Sequence, residues 1–138
     1  MGVYRFEDLR VWQAANLQCV QVGLLLKRPS FRDDVALSEQ MNRASLSVPF
    51  NIAEGFLRRR DKETGQFLRY AAASNGELKA AFYVCNGRGL LVHEEFAEMI
   101  ERNESIAKML RRWQATLTAE GRTKDQGPRT DQEPRPKP

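Results

Sequence analysis

Apolar residues recur every three or four positions along most of this chain, the spacing of side chains on one face of an α-helix. The first such segment begins near Asp8 and stops at Lys27, Arg28 and Pro29, because proline cannot continue a helix. Its predicted inner face comprises Leu9, Trp12, Cys19, Val22 and Leu26. The pattern therefore predicts a first long helix here.

The second segment begins around Asp33 and Asp34, whose carboxylates suit the positive end of a helix dipole. Its predicted inner face comprises Leu37, Met41, Ala44, Val48, Ile52 and Phe56. Pro49 lies inside this pattern, but the periodicity continues in phase on both sides of it. We therefore expect one helix bent near the proline rather than two helices, with an exit at residues 55–60.

Two further helices are predicted, the third from Asp61 to a stop at residues 86–89 and the fourth from about residue 93. The third has the inner face Phe67, Ala71, Ser74, Leu78, Phe82 and Cys85. The fourth has one seam of Phe96, Ile100, Asn103, Ala107, Leu110 and Leu117, and a second stripe of Met99, Ile106 and Trp113. Because so wide a face exceeds what one neighbouring helix covers, we expect the fourth helix to contact another subunit.

Four long helices with short connections predict an all-α fold, an up-and-down antiparallel four-helix bundle, because short loops force neighbouring helices to run in opposite directions. The chain has 138 residues, and we assign residues 1–119 to the bundle. Residues 120–138 hold no large apolar side chain and are rich in proline, glycine and charge. We expect them to form a disordered tail, since they cannot offset the entropy of ordering by burial.

The formal net charge of +4 favours a polyanionic partner, although many proteins that bind no polyanion share it. The sequence has no apolar run long enough for a membrane span, and its charged start, Met1 to Arg10, is unlike a signal peptide. These features predict a cytoplasmic protein. Cys19 and Cys85 lack metal-ligand spacing and are expected to be buried thiols.

Several strings resemble one protein family, the four-helix bundle proteins encoded within intervening sequences of bacterial 23S rRNA genes. They are Phe6-Glu7-Asp8-Leu9 with Val11-Trp12, Leu37 to Ala44 running into Ser47-Val48-Pro49, Asn51-Ile52-Ala53-Glu54-Gly55, Arg58-Arg59-Arg60 and Gly76-Glu77-Leu78. The resemblance implies a homopentamer with a basic surface that binds RNA. A related group implies a second role, as the accessory subunit of a reverse transcriptase in a diversity-generating retroelement. Phe50 stands where a small polar residue is common in the family.

The densest cationic cluster, Arg58, Arg59, Arg60 and Lys62, lies between the second and third predicted helices. Repeated around an oligomer, it would bind RNA phosphates without reading sequence. The alternative is a solvated loop that keeps the protein soluble. Lys108, Arg111 and Arg112 would extend the RNA-binding surface, or else interact with the helix dipole while Lys108 pairs with Glu104.

Asn51 and Glu54 share one side of the second helix, and we expect a buried hydrogen-bonding pair that ties it to the first helix or to another subunit. No nucleophile or second carboxylate accompanies them. His93, the sole histidine, lacks a metal-binding partner, and Gly87-Arg88-Gly89 is too short for a phosphate loop. The sequence therefore favours a non-enzymatic, oligomeric RNA-binding accessory protein without metal or cofactor. A protein-interaction scaffold with no nucleic-acid role is the alternative.

Overall fold

The computed structural model describes residues 2–126, with side chains to residue 118, and this part of the chain is helical without strands. After a short 3-10 turn at Phe6–Asp8 come α1 (Arg10–Leu25), α2 (Pro29–Arg32), α3 (Val35–Leu57), α4 (Asp61–Gly87) and α5 (His93–Gln126). The all-α prediction is confirmed, with the single-turn α2 added between the first two long helices. Helix α5 continues past the predicted bundle boundary at residue 119. The rest of the predicted tail, residues 127–138, lies outside the described residues.

The four long helices run alternately up and down around one core. Contacts between α3 and α4 join Gln40 to Glu77 and Thr64 to Gly55, so residue numbers fall in one helix as they rise in the other. The same antiparallel order relates α1 to α5. Helix α3 packs against α1 and α4, and α5 packs against α4 and α1. The order around the bundle is therefore α1, α3, α4, α5, which places the α1/α3 side opposite the α4/α5 side.

The predicted inner face of α3 is confirmed almost completely. Its buried members are Leu37, Met41, Ala44, Val48 and Ile52, and the helix is continuous through Pro49. Phe56 is only half-buried, because Gly55 occupies the close approach to α4. A Cβ on Gly55 would lie 3.3 Å from the Cβ of Phe67, and the Gly55 carbonyl accepts a hydrogen bond from Thr64 Oγ1 at 2.9 Å.

The inner face predicted for α1 is wrong in its phase. Leu9 and Val22 are buried as expected, but Trp12, Cys19 and Leu26 are only half-buried. The core positions are instead Val11, Ala15, Gln18 and Leu25. The physical reason is that α1 has apolar residues on almost every side, so the sequence periodicity alone does not fix which side faces the core.

Helix α5 buries part of its two apolar stripes within its own chain, and the expected contact of this helix with a second subunit stays a prediction. Ile106, Leu110 and Trp113 are fully buried because α5 packs against both α4 and α1. Of the other predicted positions on α4 and α5, Ala71, Leu78, Phe82, Cys85, Asn103 and Leu117 are buried, while Phe67, Ser74, Phe96, Met99, Ile100 and Ala107 are half-buried.

A layer of amide side chains divides the core into two apolar clusters. Gln18 of α1, Asn75 of α4 and Asn103 of α5 are 3%, 1% and 1% exposed, and they hydrogen-bond to one another. One cluster lies toward the α3–α4 connection and the other toward α2, where Phe31 is fully buried.

Candidate nucleic-acid interface

The predicted arginine cluster forms the connection between α3 and α4. Arg58 is the C-cap of α3 and Arg60 is the N-cap of α4, so the two long helices are joined by three residues with extended backbone at both caps. Arg59, Arg60 and Lys62 are exposed. Within the described residues, none of these three forms an ion pair. Their charges therefore face solvent at one end of the bundle.

Arg58 differs from its neighbours because its side chain is held by the protein itself. One guanidinium nitrogen lies 2.6 Å from Glu54 Oε2, and the guanidinium carbon lies 4.7 Å from the centre of the Phe67 ring. Glu54 lies one turn before Arg58 on α3, and Phe67 lies on α4. Arg58 therefore fastens the connection to both helices, and part of its charge is neutralised by Glu54.

The three cations of α5 are exposed on the half of that helix that leads from the amide layer to the same end of the bundle. Lys108, Arg111 and Arg112 precede Leu117, and a Cβ on Gly65 near the start of α4 would lie 4.0 Å from Leu117. The predicted pairing of Lys108 with Glu104 is not formed. Glu104 lies 3.5 Å from Lys79 of α4 instead.

A groove of about 390 Å³ runs between α4 and α5. It is lined by the cations Lys79, Lys108 and Arg111, by the carboxylate Glu104, and by Ala72, Asn75, Gly76, Asn103 and Ala107. We call it the α4/α5 groove. The sequence did not single out this groove, because its two walls are nearly 30 positions apart in the chain and meet only when the helices pack.

Arg69 is a further exposed cation that the sequence analysis did not select. It follows Lys62 by seven residues, which places both on one face of α4. The seven-residue spacing could have indicated Arg69 from the sequence, but the adjacent run of three arginines was the more conspicuous cationic pattern. Arg69 therefore continues the cationic surface of Lys62 along α4.

Asn51 and Glu54 do not form the buried pair that was predicted. Asn51 Nδ2 donates to the carbonyl and to the hydroxyl of Ser47, both at 2.9 Å, and the Ser47 hydroxyl accepts from Ser74 of α4 at 2.7 Å. Glu54 is exposed and pairs with Arg58. The link thus joins α3 to α4 rather than to α1, because α3 turns this side toward α4.

The remaining candidate residues are His93 and the two cysteines. His93 is exposed at the first position of α5, and no group of three or more potential metal ligands occurs among the described residues. Cys85 is buried as predicted, with its sulfur 3.4 Å from that of Met41, and burial raises the pKa of its thiol to about 11. Cys19 is half-buried, 3.9 Å from the hydroxyl of Ser45.

Most of the exposed large apolar side chains within the described residues lie on α1 and α3. Leu17, Val20 and Leu24 form a stripe on α1, and Leu46, Phe50 and Leu57 form a stripe on α3. The contact between Cys19 and Ser45 places these helices side by side, with Val20 and Leu46 one residue farther along each. We call the two stripes together the α1/α3 apolar face. It lies across the bundle from the α4/α5 groove.

Within the described part of the chain, no helix combines the length and apolarity needed to cross a membrane. A family model described as 23S rRNA-intervening sequence protein matches residues 7–112. Comparison with curated proteins gives no match to this chain. The matched range begins in the 3-10 turn and ends within α5 at Arg112, so it includes the arginine connection, the α4/α5 groove and the α1/α3 apolar face.

Proposed function

Since this chain belongs to the 23S rRNA-intervening sequence protein family, we propose that it is a non-enzymatic RNA-binding accessory protein that works as an assembly of identical copies. The observation that carries this proposal is a group of exposed cations at the α3–α4 connection and on the adjoining half of α5, none of which forms an ion pair within the described residues. These are Arg59, Arg60, Lys62, Lys108, Arg111 and Arg112. Cations without a protein counter-ion attract phosphates, and they do so without reading base sequence.

Self-association is the second part of the proposal, and the α1/α3 apolar face supports it. Phe50 is 64% exposed and Leu24 is 59% exposed, so one copy leaves large side chains in water. Contiguous exposed apolar surface of this kind is typical of protein interfaces. We propose that copies associate through this face, with five copies as the number that the family resemblance implies.

The protein partner that follows from the same resemblance is a reverse transcriptase of a diversity-generating retroelement. In this arrangement the assembly holds the RNA template by its phosphates while the enzyme performs the chemistry. The competing function is a protein-interaction scaffold with no RNA role, for which the same apolar face would suffice and the cations would be ordinary solvated surface.

The test is RNA binding by the full chain as a function of salt, together with native mass in the presence and absence of RNA. Phosphate binding predicts that the logarithm of the association constant falls linearly with the logarithm of salt concentration, with a slope of about 0.9 per phosphate contact on a duplex. Absence of RNA binding at low salt, with the native mass unchanged by RNA, would leave the scaffold function instead.

A matched pair of variants locates the interaction. Arg59→Ala with Arg60→Ala removes two cations at the proposed end, and Lys27→Ala with Arg32→Ala removes two exposed cations at the opposite end. Both pairs change the net charge equally. We expect the first pair to weaken RNA binding more than the second, and equal weakening would indicate a response to net charge alone.

A further inference from the structure

On the basis of the proposed RNA-binding function, we propose that the sugar–phosphate backbone of RNA is held in the α4/α5 groove, by Lys108 and Arg111. This assigns the main contact to the side of the bundle rather than to the arginine connection at its end. The groove contains three cations and one carboxylate. Glu104 pairs with Lys79, and within the described residues Lys108 and Arg111 form no ion pair beside this open cleft.

The dimensions of the groove fit a phosphate backbone. Its α4 wall extends from Ala72 to Lys79, which at 1.5 Å per residue is roughly 10 Å, so a stretch of backbone rather than a single small ion can lie along it. Lys108 and Arg111 are three residues apart and therefore neighbours on the α5 wall. An arginine guanidinium binds phosphate with two parallel hydrogen bonds, and lysine binds it as a point charge.

The floor of the groove lets a backbone approach closely. Ala72, Gly76 and Ala107 carry small or no side chains, and a Cβ built on Gly76 meets nothing within 4 Å. An acidic protein segment is a poorer occupant, because such segments anchor through large apolar side chains in pockets and this floor offers them little to contact. The chemistry of the groove therefore favours RNA.

Buried hydrogen bonds join the two walls of the groove. Asn75 and Asn103 lie beneath it, each at 1% exposure, and their mutual hydrogen bonds fix α4 against α5. The two helical walls are therefore held in one relative position, so binding does not have to bring them together. Because the groove is opposite the α1/α3 apolar face, it also stays open when copies associate through that face.

A steric variant tests the site without altering charge. Gly76→Leu places a bulky side chain in the open space of the groove, and Gly87→Leu does the same at the far end of α4, where a Cβ also meets nothing within 4 Å. Gly76→Leu favours the helix interior by about 1 kcal/mol relative to glycine, and Gly87→Leu, at the last residue of α4, favours it less. We expect Gly76→Leu to weaken binding of a short RNA duplex at least tenfold and Gly87→Leu to leave it unchanged.

Two charge variants test the same groove in opposite directions. Lys108→Ala with Arg111→Ala is expected to lower the salt slope by roughly 2, since each duplex phosphate contact contributes about 0.9. Glu104→Gln removes the counter-ion of Lys79 and is expected to tighten RNA binding severalfold. Circular dichroism and native mass verify that each variant keeps its helices and its assembly.

The outcomes separate this inference from the proposed function. If the unmodified chain binds RNA and the groove variants bind equally well, while Arg59→Ala with Arg60→Ala does not, the groove assignment is overturned and the RNA-binding function stands. If the unmodified chain does not bind RNA at low salt, the proposed function itself fails. Loss of binding in Gly76→Leu and in the double alanine variant, with Gly87→Leu unaffected, supports the groove.

Discussion

Asn75 and Asn103 each donate a side-chain hydrogen bond to the other's backbone carbonyl, at 3.0 Å in both directions. Gln18 closes the arrangement, because it donates to Asn75 Oδ1 at 3.1 Å and accepts from Asn103 Nδ2 at 3.0 Å. The three amides fix α1, α4 and α5 in a single register. A slide of any one helix by a turn of about 5.4 Å would separate these groups inside an apolar core.

Asn103→Ala should therefore destabilise the protein strongly. The substitution leaves Gln18 Oε1 without its buried donor, and an unsatisfied buried polar group costs about 1–3 kcal/mol. Urea denaturation followed by circular dichroism measures the effect. Asn86→Ala, an exposed asparagine near the end of α4, is the control and should change the free energy of unfolding by less than about 0.5 kcal/mol. Equal midpoints for the two variants would contradict a stabilising role for the amide layer.

Arg58→Ala should cost stability that Arg59→Ala does not. The Arg58→Ala change removes the ion pair with Glu54 and the contact with the Phe67 ring. Arg59 has no ion pair within the described residues, so its replacement removes none. Because the Arg58 side chain is 40% exposed, solvent screening limits the expected loss to about 1 kcal/mol. Thermal unfolding of the two variants, measured side by side, checks this. A larger loss of stability for Arg59→Ala would contradict the assignment of the stabilising contacts to Arg58.

Phe50→Glu should dissociate the assembly if the α1/α3 apolar face is its interface. A carboxylate in place of this 64% exposed ring would be buried without a partner on association, which is strongly unfavourable. Light scattering after size exclusion should report a fall to the mass of one chain, with helical content retained. Val84→Glu places the same charge on an exposed apolar position of α4, outside the face, and should leave the native mass unchanged. An unchanged mass for Phe50→Glu would remove this face from the interface.

Cys85 should resist alkylation at neutral pH while Cys19 reacts. Burial, with a smaller contribution from the Asp34 carboxylate, raises the pKa of the Cys85 thiol from 9.0 to about 11, so the reactive thiolate is scarce in the folded protein. The unfolded chain releases that proton at a lower pH than the folded chain does. Stability should therefore decrease between about pH 9 and pH 11, and Cys85→Ala should weaken this dependence.

Mass spectrometry of iodoacetamide-treated protein follows the two thiols separately. The Cys85 rate should rise only with unfolding, for example in urea. Equal rates for Cys19 and Cys85 in the folded protein would contradict the buried position of Cys85.

The helices themselves could be predicted from the sequence, whereas the phase of a helix that is apolar on several sides could not. In α3 the positions Leu37, Met41 and Ile52 form one clear stripe, and all are buried. In α1 the competing stripe of Leu17, Val20 and Leu24 has the same periodicity as the core positions, and only packing against α3 and α5 selects between them.

Polar core residues were the hardest to predict. Glutamine is normally a surface residue, so the sequence does not indicate that Gln18 is buried. Its burial depends on hydrogen bonds with Asn75 and Asn103, which lie 57 and 85 positions away in the chain. Asn103 was predicted on the inner face because it falls in phase with apolar neighbours. The different environments of Arg58 and Arg59 could not be predicted either. The three consecutive arginines are identical in the sequence, and only the fold determines that Arg58 contacts Glu54 and Phe67.

Two arginines at each end of the bundle differ in whether a carboxylate pairs with them. At the α2 end, Arg28 pairs with Glu95 and Arg88 pairs with Asp34. At the α3–α4 connection, Arg59 and Arg60 have no such counter-ions within the described residues. Of these four arginines, the two at the α3–α4 end therefore keep more of their positive charge available to a ligand. An approaching polyanion would be attracted to this pair of arginines more strongly than to Arg28 and Arg88, which would favour encounters that begin at the α3–α4 end.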